Sequence, residues 1–312
     1  MRCLWSMKKT KTRIAVLAFL SLLTVCVWPK TKWQTLDVKG EERHYFVEHP
    51  PLEAGHRYPL IMALHGGGGT ARSMARWGFS KLARERGYIV VFPQGVEKHW
   101  YDDRVQFTTK DGKRPDDLAF LGGLLDQVEQ DYPVDPRRVY VAGVSNGAIM
   151  SHLLAEKLGS RLAGIIPMIG GITEEQAASF SPKAPLSVMI IQGDADPIVP
   201  FLGGAITVLG KKRGNVLPTE ETVKKWVEVD GCHKSSEDEL PDSDPKDGCR
   251  ITRTTYTGGY NGTEVWYYRV AGGGHTVPGG IQYLPERVVG KVCRDVDATD
   301  LIDEFCRHTS TR

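Results

Sequence analysis

The sequence predicts an α/β fold in which a mostly parallel sheet carries helices on both faces. Segments such as Tyr58 to Leu64 and Leu186 to Ile191 are apolar throughout, which is typical of strands buried on both sides. They alternate with segments such as Asp117 to about Tyr132, where apolar residues recur every three or four positions as in amphipathic helices. This alternation is the pattern of a parallel sheet covered on both faces.

The first half of the chain supplies the strands and helices up to a glycine-flanked serine. The predicted elements are two short strands within Gln34 to His49, a strand over Tyr58 to Leu64, a helix over Ala71 to Arg86, a strand over Tyr88 to Phe92, a helix from Pro115 to about Tyr132, and a strand over Arg138 to Val144. The acidic pair Asp116-Asp117, at the start of the helix that begins at Pro115, complements the helix dipole.

The second half continues the alternation. The predicted elements are a helix over Ala148 to Leu158, strands over Leu162 to Ile169 and Leu186 to Ile191, a helix over Thr219 to Val229, strands over Ile251 to Thr257 and Glu264 to Val270, and a helix over Ala298 to His308. The polar stretch Lys234 to Gly248 predicts a surface loop. All these elements fit one domain over residues 34–310, a usual size for a large α/β domain.

The N-terminus, residues 1–30, predicts a signal peptide. Lys8 and Lys9 belong to a positive leader, and Ile14 to Trp28 is an uncharged, mostly apolar run of 15 residues, which is short for a membrane span. The chain is therefore expected to be secreted or periplasmic. The alternative is an uncleaved anchor, which would be the chain's one contact with a membrane. A net charge of +2, without a long basic run beyond the leader, gives no indication of a nucleic-acid partner.

Four cysteines follow the leader, an even number that suits an oxidising compartment. Three pairings are possible, and we expect the two local ones, Cys232–Cys249 and Cys293–Cys306. The alternative is buried free thiols, above all for Cys306 on the apolar face of the last helix. Because no Cys-x-x-Cys or His-x3-His spacing accompanies these residues, no metal site is expected.

A Gly-x-Ser-x-Gly motif stands where an apolar strand runs into a helix. The strand over Arg138 to Val144 leads directly to Ser145, with Gly143 and Gly147 two residues away on either side. Small neighbours let a serine stand clear of the backbone in a tight turn, so this context predicts a nucleophile elbow. The alternative is an ordinary glycine-rich turn with a solvated serine.

A serine nucleophile needs a base, and the base needs a carboxylate to orient it. His275 lies in a glycine-rich loop directly after a predicted strand, free to approach the elbow. Asp194 and Asp196 both follow the strand over Leu186 to Ile191, and the residues alone leave open which of them is the acid. Asp194 could instead cap its own turn.

The glycine run that begins at His65 has a different predicted role. Glycine lets backbone N–H groups approach a substrate oxygen closely, and this loop follows the strand that supplies one such donor in folds with an elbow. We expect an oxyanion hole made by the amides of Asn146 and Gly67, with Gly68 as the alternative. A phosphate-binding loop is disfavoured because no Gly-x-x-x-x-Gly-Lys pattern is present.

Seven short segments, in order between about Gln34 and His308, carry a family resemblance. They are Leu64-His65-Gly66, Asp116-Asp117, Asp135-Pro136-Arg137-Arg138-Val139-Tyr140, Gly143-Val144-Ser145-Asn146-Gly147-Ala148, Asp194-Ala195-Asp196 with Val199-Pro200, Trp226 with Gly231-Cys232, and Gly273-Gly274-His275-Thr276 with Pro278-Gly279-Gly280. In them the chain resembles the secreted polyhydroxybutyrate depolymerase and feruloyl or acetylxylan esterase group, an α/β-hydrolase family. The resemblance implies Ser145 as nucleophile, Asp196 as acid and His275 as base.

Two positions depart from that family's pattern. Val277 stands where the family usually has a tryptophan beside the histidine, which changes a wall of the pocket. Gly258-Gly259 stands where the resemblance implies a cysteine partner for Cys232, so that Cys249 would take over that pairing.

The expected function is therefore that of an exported serine esterase that forms an acyl-enzyme and needs no cofactor. Its partner would be a small or oligomeric hydroxyalkanoate, hydroxycinnamoyl or acetyl ester. A serine peptidase, a thioesterase and a non-catalytic binding protein on the same fold are the alternatives. Trp100 and Tyr101 either line the cleft or only pack beneath their loop.

Overall fold

The computed structural model describes residues 31–104 and 108–310, which form an α/β fold. The predicted signal peptide, with Cys3 and Cys26, lies outside the described residues. Within the described ranges, no helix combines the length and the apolar character needed to cross a membrane.

The strands and helices follow the predicted order, with several additions. The strands are β1 (Gln34–Val38), β2 (Glu41–Glu48), β3 (Tyr58–Leu64), β4 (Ile89–Pro93), β5 (Val134–Val144), β6 (Gly164–Met168), β7 (Ser187–Gly193), β8 (Gly204–Val208), β9 (Lys211–Val216), β10 (Lys234–Glu239), β11 (Arg250–Thr257) and β12 (Val265–Ala271). The α-helices are α1 (Ala71–Met74), α2 (Ser80–Glu85), α3 (Asp117–Asp131), α4 (Asn146–Leu158), α5 (Glu174–Ser179), α6 (Thr219–Asp230), α7 (Glu286–Val289) and α8 (Ala298–His308).

One large sheet organises the described part of the chain, with the strand order β1-β2-β4-β3-β5-β6-β7-β12-β11-β10. Its centre, from β4 through β12, is parallel, whereas β1 and β2 at one edge and β11 and β10 at the other pair antiparallel. Strands β8 and β9 form a separate hairpin. The prediction of a mostly parallel sheet is confirmed.

The central strands are apolar throughout because both faces of the sheet are buried. Along β3, Ile61 and Ala63 belong to one apolar cluster, whereas Leu60, Met62 and Leu64 belong to the cluster on the opposite face. Helices α2 and α8 contribute to the first cluster, and α3, α4 and α6 contribute to the second. Side chains of successive strand residues point to opposite faces, so each strand supplies both cores.

The predicted helix over Ala71 to Arg86 is divided into three parts. A wider π-helical turn over Ala75–Phe79 separates α1 from α2, and Gly78 within it has φ +101°, outside the helical region. A Cβ on Gly78 would lie 2.7 Å from Cγ2 of Thr299, so the glycine lets this turn approach α8 closely. The apolar periodicity continues across the break, which is why the pattern predicted one helix.

The polar stretch over Lys234 to Gly248 is only partly a loop. Its first six residues form β10, an edge strand whose side chains are all exposed and mostly charged or hydroxylated. This strand forms through backbone pairing with β11. It has no apolar face, so no alternation of apolar and polar residues indicates a strand in the sequence. Charged side chains on an edge strand discourage pairing with another chain.

The predicted pairs Cys232–Cys249 and Cys293–Cys306 are not bonded in the structure, in which all four of these cysteines are free thiols. Lys234 pairs with Thr257, so Cys232 lies at the far end of β11 from Cys249, about 25 Å away at roughly 3.3 Å per residue. Cys306 is buried on the inner face of α8, as the alternative of a buried free thiol expected, and is not bonded to Cys293.

A buried ion pair links β2 to the first turn of α3. The Arg43 guanidinium lies 2.5 Å from the carboxylate of Asp117, both side chains are almost completely buried, and Arg43 also lies over the Phe120 ring at 4.1 Å. The amide of Tyr101 donates to the same carboxylate at 2.8 Å. Burial raises the pKa of Asp117, so the arginine is what offsets the cost of holding a charge there.

Replacing Arg43 with methionine is expected to lower the free energy of unfolding by about 3–5 kcal/mol, because it leaves the Asp117 carboxylate buried without a counter-charge. The matched control is Lys39→Met, which removes the exposed pair that Lys39 forms with the neighbouring Asp116, at 2.6 Å. That change is expected to cost about 0–1 kcal/mol. Urea unfolding monitored by tryptophan fluorescence measures both values, and equal effects of the two variants would contradict the prediction.

Candidate active site

Ser145 occupies a strained turn between β5 and α4. Its backbone dihedrals, φ +56° and ψ −116°, lie where a non-glycine residue is rarely found. Such a conformation costs about 1–3 kcal/mol and persists only when its surroundings hold it. The amide of Ser145 donates to the carbonyl of Met168 in β6 at 2.9 Å, which ties the turn to the next strand of the sheet.

The two glycines of the motif are required by close backbone approaches. A Cβ on Gly143 would lie 2.1 Å from the carbonyl oxygen of Gly147, and a Cβ on Gly147 would lie 2.4 Å from that of Leu64. No side chain fits at either position. The predicted strand–turn–helix context of the motif is confirmed, because α4 begins at the residue that follows Ser145.

A continuous hydrogen-bonded chain joins three side chains that are distant in sequence. The Oγ of Ser145 lies 2.9 Å from Nε2 of His275, and Nδ1 of the same ring lies 2.7 Å from Oδ2 of Asp196. The Asp196 side chain is fully buried and that of His275 is 5% exposed. A neutral imidazole that donates from Nδ1 to the carboxylate is left with Nε2 as an acceptor for the serine hydroxyl.

The carboxylate of Asp196 is held by three further donors. Its Oδ1 accepts the amides of Ile198 at 2.8 Å and Val199 at 2.9 Å, and its Oδ2 accepts Nε2 of Gln192 at 3.1 Å. These bonds fix the orientation of the carboxylate toward His275. Nothing in the sequence singled out Gln192, because a glutamine near the end of a buried strand carries no characteristic pattern.

Asp194 makes different contacts. Its Oδ2 lies 3.0 Å from the guanidinium of Arg269, and its Oδ1 accepts the amide of Gly272 at 2.8 Å. These contacts fasten the end of β7 to the end of β12, while His275 bonds to Asp196. Of the two carboxylates left open by the sequence, Asp196 is therefore the one that meets the histidine.

The loop that carries His275 is packed tightly against the C-terminal end of α7. A Cβ on Gly274 would lie 2.2 Å from the carbonyl oxygen of Val289, and the amide of His275 donates to that same carbonyl. The hydroxyl of Tyr283 donates to the carbonyl of His275 at 3.1 Å. Tyr283 is a contact that the sequence did not predict, because it comes from a polar, irregular segment.

The glycine loop after β3 offers fewer free amides than its sequence suggests. The amide of Gly68 donates to the carbonyl of Lys98 at 2.8 Å, and that of Gly69 to the carbonyl of Gly66 at 2.9 Å. Both are occupied by the protein itself. Gly67 lies in the wall of the cavities beside Ser145, next to Asn146.

Trp100 fastens the two segments predicted to form the oxyanion hole. Its indole N–H donates to the carbonyl of His65 at 2.8 Å, and its backbone exchanges two hydrogen bonds with the Asn146 side chain, at 2.8 and 3.0 Å. Trp100 is completely buried and Tyr101 nearly so. Of the two alternatives for these aromatic residues, packing beneath the loop is the correct one.

A buried charge pair completes this network. Nδ2 of Asn146 also donates to Asp102 at 2.6 Å, and the Asp102 carboxylate receives two hydrogen bonds from Arg104, at 2.7 and 2.6 Å. A bidentate pair of this kind satisfies both charges on two side chains that are almost completely buried. The side chain of Asn146 is thus fixed, and with it the first turn of α4.

Comparisons with known proteins identify the chain. A family model described as "Esterase PHB depolymerase" matches residues 43–212, more than half of the sequence. The chain is also 30% identical over 282 residues to the putative esterase NocK of Nocardia uniformis subsp. tsuyamanensis, a match that covers 86% of this chain and 80% of that protein. The chain belongs to this family of esterases.

Further comparisons agree with that family. Feruloyl esterase B of Piromyces equi is 25% identical over 162 residues, 51% of this esterase but only 29% of its relative's length. The acetyl xylan esterase of Aspergillus awamori has the same α/β-hydrolase fold, with a TM-score of 0.54, 16% identity, and coverage of 80% of this chain and 96% of that one. The protein is a carboxylic ester hydrolase, which favours ester hydrolysis over the peptidase, thioesterase and binding-protein alternatives.

Two cavities of the esterase meet at Ser145 and His275. The larger, about 370 Å³, extends past Met74 and Trp77, and the smaller, about 180 Å³, extends toward the β8–β9 hairpin. Tyr283 and Leu284 line both cavities, and the Tyr283 ring lies 5.3 Å from that of Trp77. Ser145 therefore borders both cavities.

His65 is a buried neutral histidine in this site. Its Nε2 accepts the amide of Gly95 at 3.0 Å, and its Nδ1 lies 2.8 Å from the carbonyl of Gly66. Burial lowers the pKa of His65 to about 4. Protonation would place a second N–H against the Gly95 amide, so the loop requires the uncharged ring.

The free energy of unfolding is expected to fall as the pH drops from 6.5 toward 4. In that range the unfolded chain binds a proton at His65 that the folded esterase does not, so stability present above pH 6.5 is lost on acidification. His65→Asn should reduce the loss of unfolding free energy between pH 6.5 and pH 4 by about 3 kcal/mol, because the pKa of His65 falls from 6.5 in the unfolded chain to about 4 in the folded protein. His152, whose pKa burial lowers to about 3, contributes equally to both proteins. Parallel stability curves for the two proteins, from urea titrations between pH 4 and 8, would refute the expectation.

Proposed function

We propose that this protein is an exported serine esterase in which Ser145 attacks the ester carbonyl, His275 takes the hydroxyl proton, and Asp196 orients the imidazole. The supporting observation is the unbroken hydrogen-bonded chain among these three side chains, at 2.9 and 2.7 Å. The alcohol leaves with the proton from His275, and water then cleaves the acyl-enzyme by the same route.

The oxyanion formed in each step is assigned to the amides of Gly67 and Asn146. The engagement of the Gly68 and Gly69 amides elsewhere in the loop supports Gly67 as the donor from that side. Asn146 is the first residue of α4, where backbone N–H groups and the helix dipole favour negative charge. The Trp100 network then keeps the two donors at a constant separation.

The substrate is proposed to be a small or oligomeric hydroxyalkanoate, hydroxycinnamoyl or acetyl ester. The two cavities that meet at Ser145 provide separate places for the acyl and alcohol parts, and the Trp77–Tyr283 pair offers an aromatic wall for an apolar or planar group. We further infer one catalytic domain over residues 34–310, exported by the leader at residues 1–30. No cofactor is needed for this chemistry.

Ser145→Ala is expected to reduce kcat/KM for p-nitrophenyl acetate by about 10⁴-fold or more, because no other group supplies the attacking oxygen. Labelling by a fluorophosphonate probe should disappear with it. Since alanine removes one hydroxyl, the melting temperature should stay close to that of the wild type. A folded variant that retains turnover would exclude Ser145 as the nucleophile.

Asp196→Asn is expected to lower kcat/KM by about 10⁴-fold, because an amide favours the wrong tautomer of the His275 ring. Asp194→Asn is the matched control: it changes a carboxylate two residues away that pairs with Arg269, and should lower kcat/KM less than about tenfold. The two variants are compared on the same ester over a pH series. An equal loss of kcat/KM in both variants would contradict the assignment of Asp196, and a larger loss in Asp194→Asn would transfer it to Asp194.

A further inference from the structure

Two buried cysteines approach each other behind the loop that carries His275. Cys249 directly precedes β11, and Cys293 lies in the segment between α7 and α8. Their Sγ atoms and a carboxylate oxygen of Asp247 all lie within 4.8 Å of one another, and each cysteine is only 1% exposed. We propose that Cys249 and Cys293 form a disulfide when the chain folds in an oxidising compartment.

The backbone around the pair brings these two segments together independently of the thiols. A Cβ on Gly272 would lie 3.8 Å from Cα of Cys249, and the neighbouring Gly273 forms a parallel bridge with Lys291. Both cysteine segments therefore flank the same short stretch of chain. A disulfide needs an S–S distance of about 2.05 Å, so the two sulfurs, which lie no more than 4.8 Å apart, must move closer together when the bond forms.

Formation of the bond requires a disulfide-containing oxidant, such as oxidised glutathione or a disulfide exchange protein. One cysteine thiolate attacks the oxidant and releases a thiol, and the second thiolate then displaces the remaining sulfur. The two cysteines lose two protons and two electrons in total, and the oxidant leaves as two thiols. Such oxidants persist outside the cytosol, where the signal peptide is predicted to send the chain.

The bond is expected to form during folding rather than afterwards. Burial raises the pKa of the Cys249 thiol to about 11 and that of Cys293 to about 12. Exchange needs a thiolate and access for the oxidant, and the folded, reduced protein provides neither at neutral pH. A reduced preparation should therefore stay reduced until it is unfolded.

The alternative is a metal ion bound by the same three side chains, and the contacts of Asp247 disfavour it. Its Oδ1 accepts the amide of Cys249 at 2.7 Å and its Oδ2 accepts the amide of Arg294 at 2.5 Å. The carboxylate is thus already committed to holding the turn. A structural zinc site takes four ligands, commonly as deprotonated thiolates, and this cluster offers two thiols and an occupied carboxylate.

The disulfide would restrain the support of the catalytic histidine. The carbonyl of Lys291 accepts the amide of Gly274 at 2.9 Å and the Thr276 hydroxyl at 2.6 Å, and the carbonyl of Cys293 accepts the amide of Gly279 at 2.8 Å. These bonds hold the His275 loop from both sides. A covalent link from Cys293 to Cys249, at the start of β11, would attach the segment that holds the His275 loop to the large sheet. It would also stabilise the fold, because it closes the chain between the two cysteines into a loop and so restricts the unfolded state.

The test is disulfide mapping of the full chain refolded with a mixture of oxidised and reduced glutathione. After alkylation in denaturant and digestion without reductant, mass spectrometry should find the Cys249 and Cys293 peptides joined, with Cys232 and Cys306 alkylated. Reduction should lower the melting temperature by about 5–10 °C. This shift should vanish in Cys249→Ser and Cys293→Ser and persist in the control Cys232→Ser.

Three results would overturn the proposal. The first is alkylation of all four cysteines that follow the leader in the protein folded with oxidised glutathione, and the second is a linked peptide with another pairing. The third is zinc bound at one equivalent and removed by a chelator, with Cys249 and Cys293 both alkylated, which would assign a metal site instead. Because the mapping does not depend on hydrolysis, its failure leaves the proposed esterase mechanism untouched.

Discussion

The active site depends on how closely α4 approaches the end of β3. The strained backbone of Ser145 is held because Gly143 meets Gly147 and Gly147 meets the carbonyl of Leu64, each at distances that exclude a Cβ. The turn therefore cannot relax without separating the helix from the sheet. Strain at one residue is stable only because the packing of a whole helix opposes its release.

Around that turn, buried polar groups substitute for the water that the site excludes. The Trp100 indole donates to the carbonyl of His65 in the glycine loop, neutral His65 accepts the Gly95 amide, and the Asn146 side chain accepts the Trp100 amide. Asp102 and Arg104 satisfy each other. Networks of this kind rigidify a core when all members are bonded, because an unpaired polar group in low dielectric is costly. The oxyanion donors of the proposed mechanism are thereby positioned before substrate arrives.

The predictable part of the site is the part that depends on glycine. Ser145 and His275 stand beside glycines whose positions admit no Cβ, so a short motif reveals them. Gln192 and Tyr283 contact the same machinery through ordinary side chains on elements with no special pattern. The proximity of Cys249 and Cys293 was also hidden, because local spacing favoured pairs of neighbours along the chain, whereas the register of β10 on β11 separates Cys232 from Cys249.

By itself, the sequence determined the alternation of buried strands and amphipathic helices, the tight turn at Ser145, and the histidine loop after β12. These features depend on local periodicity and on glycine, and both can be recognised within one short segment of the sequence. The tertiary structure decided that Asp196 and not Asp194 meets His275, that Trp100 lies beneath its loop, and which thiols adjoin. Those outcomes depend on the register and stacking of distant segments, and no stretch of sequence encodes its distance to another.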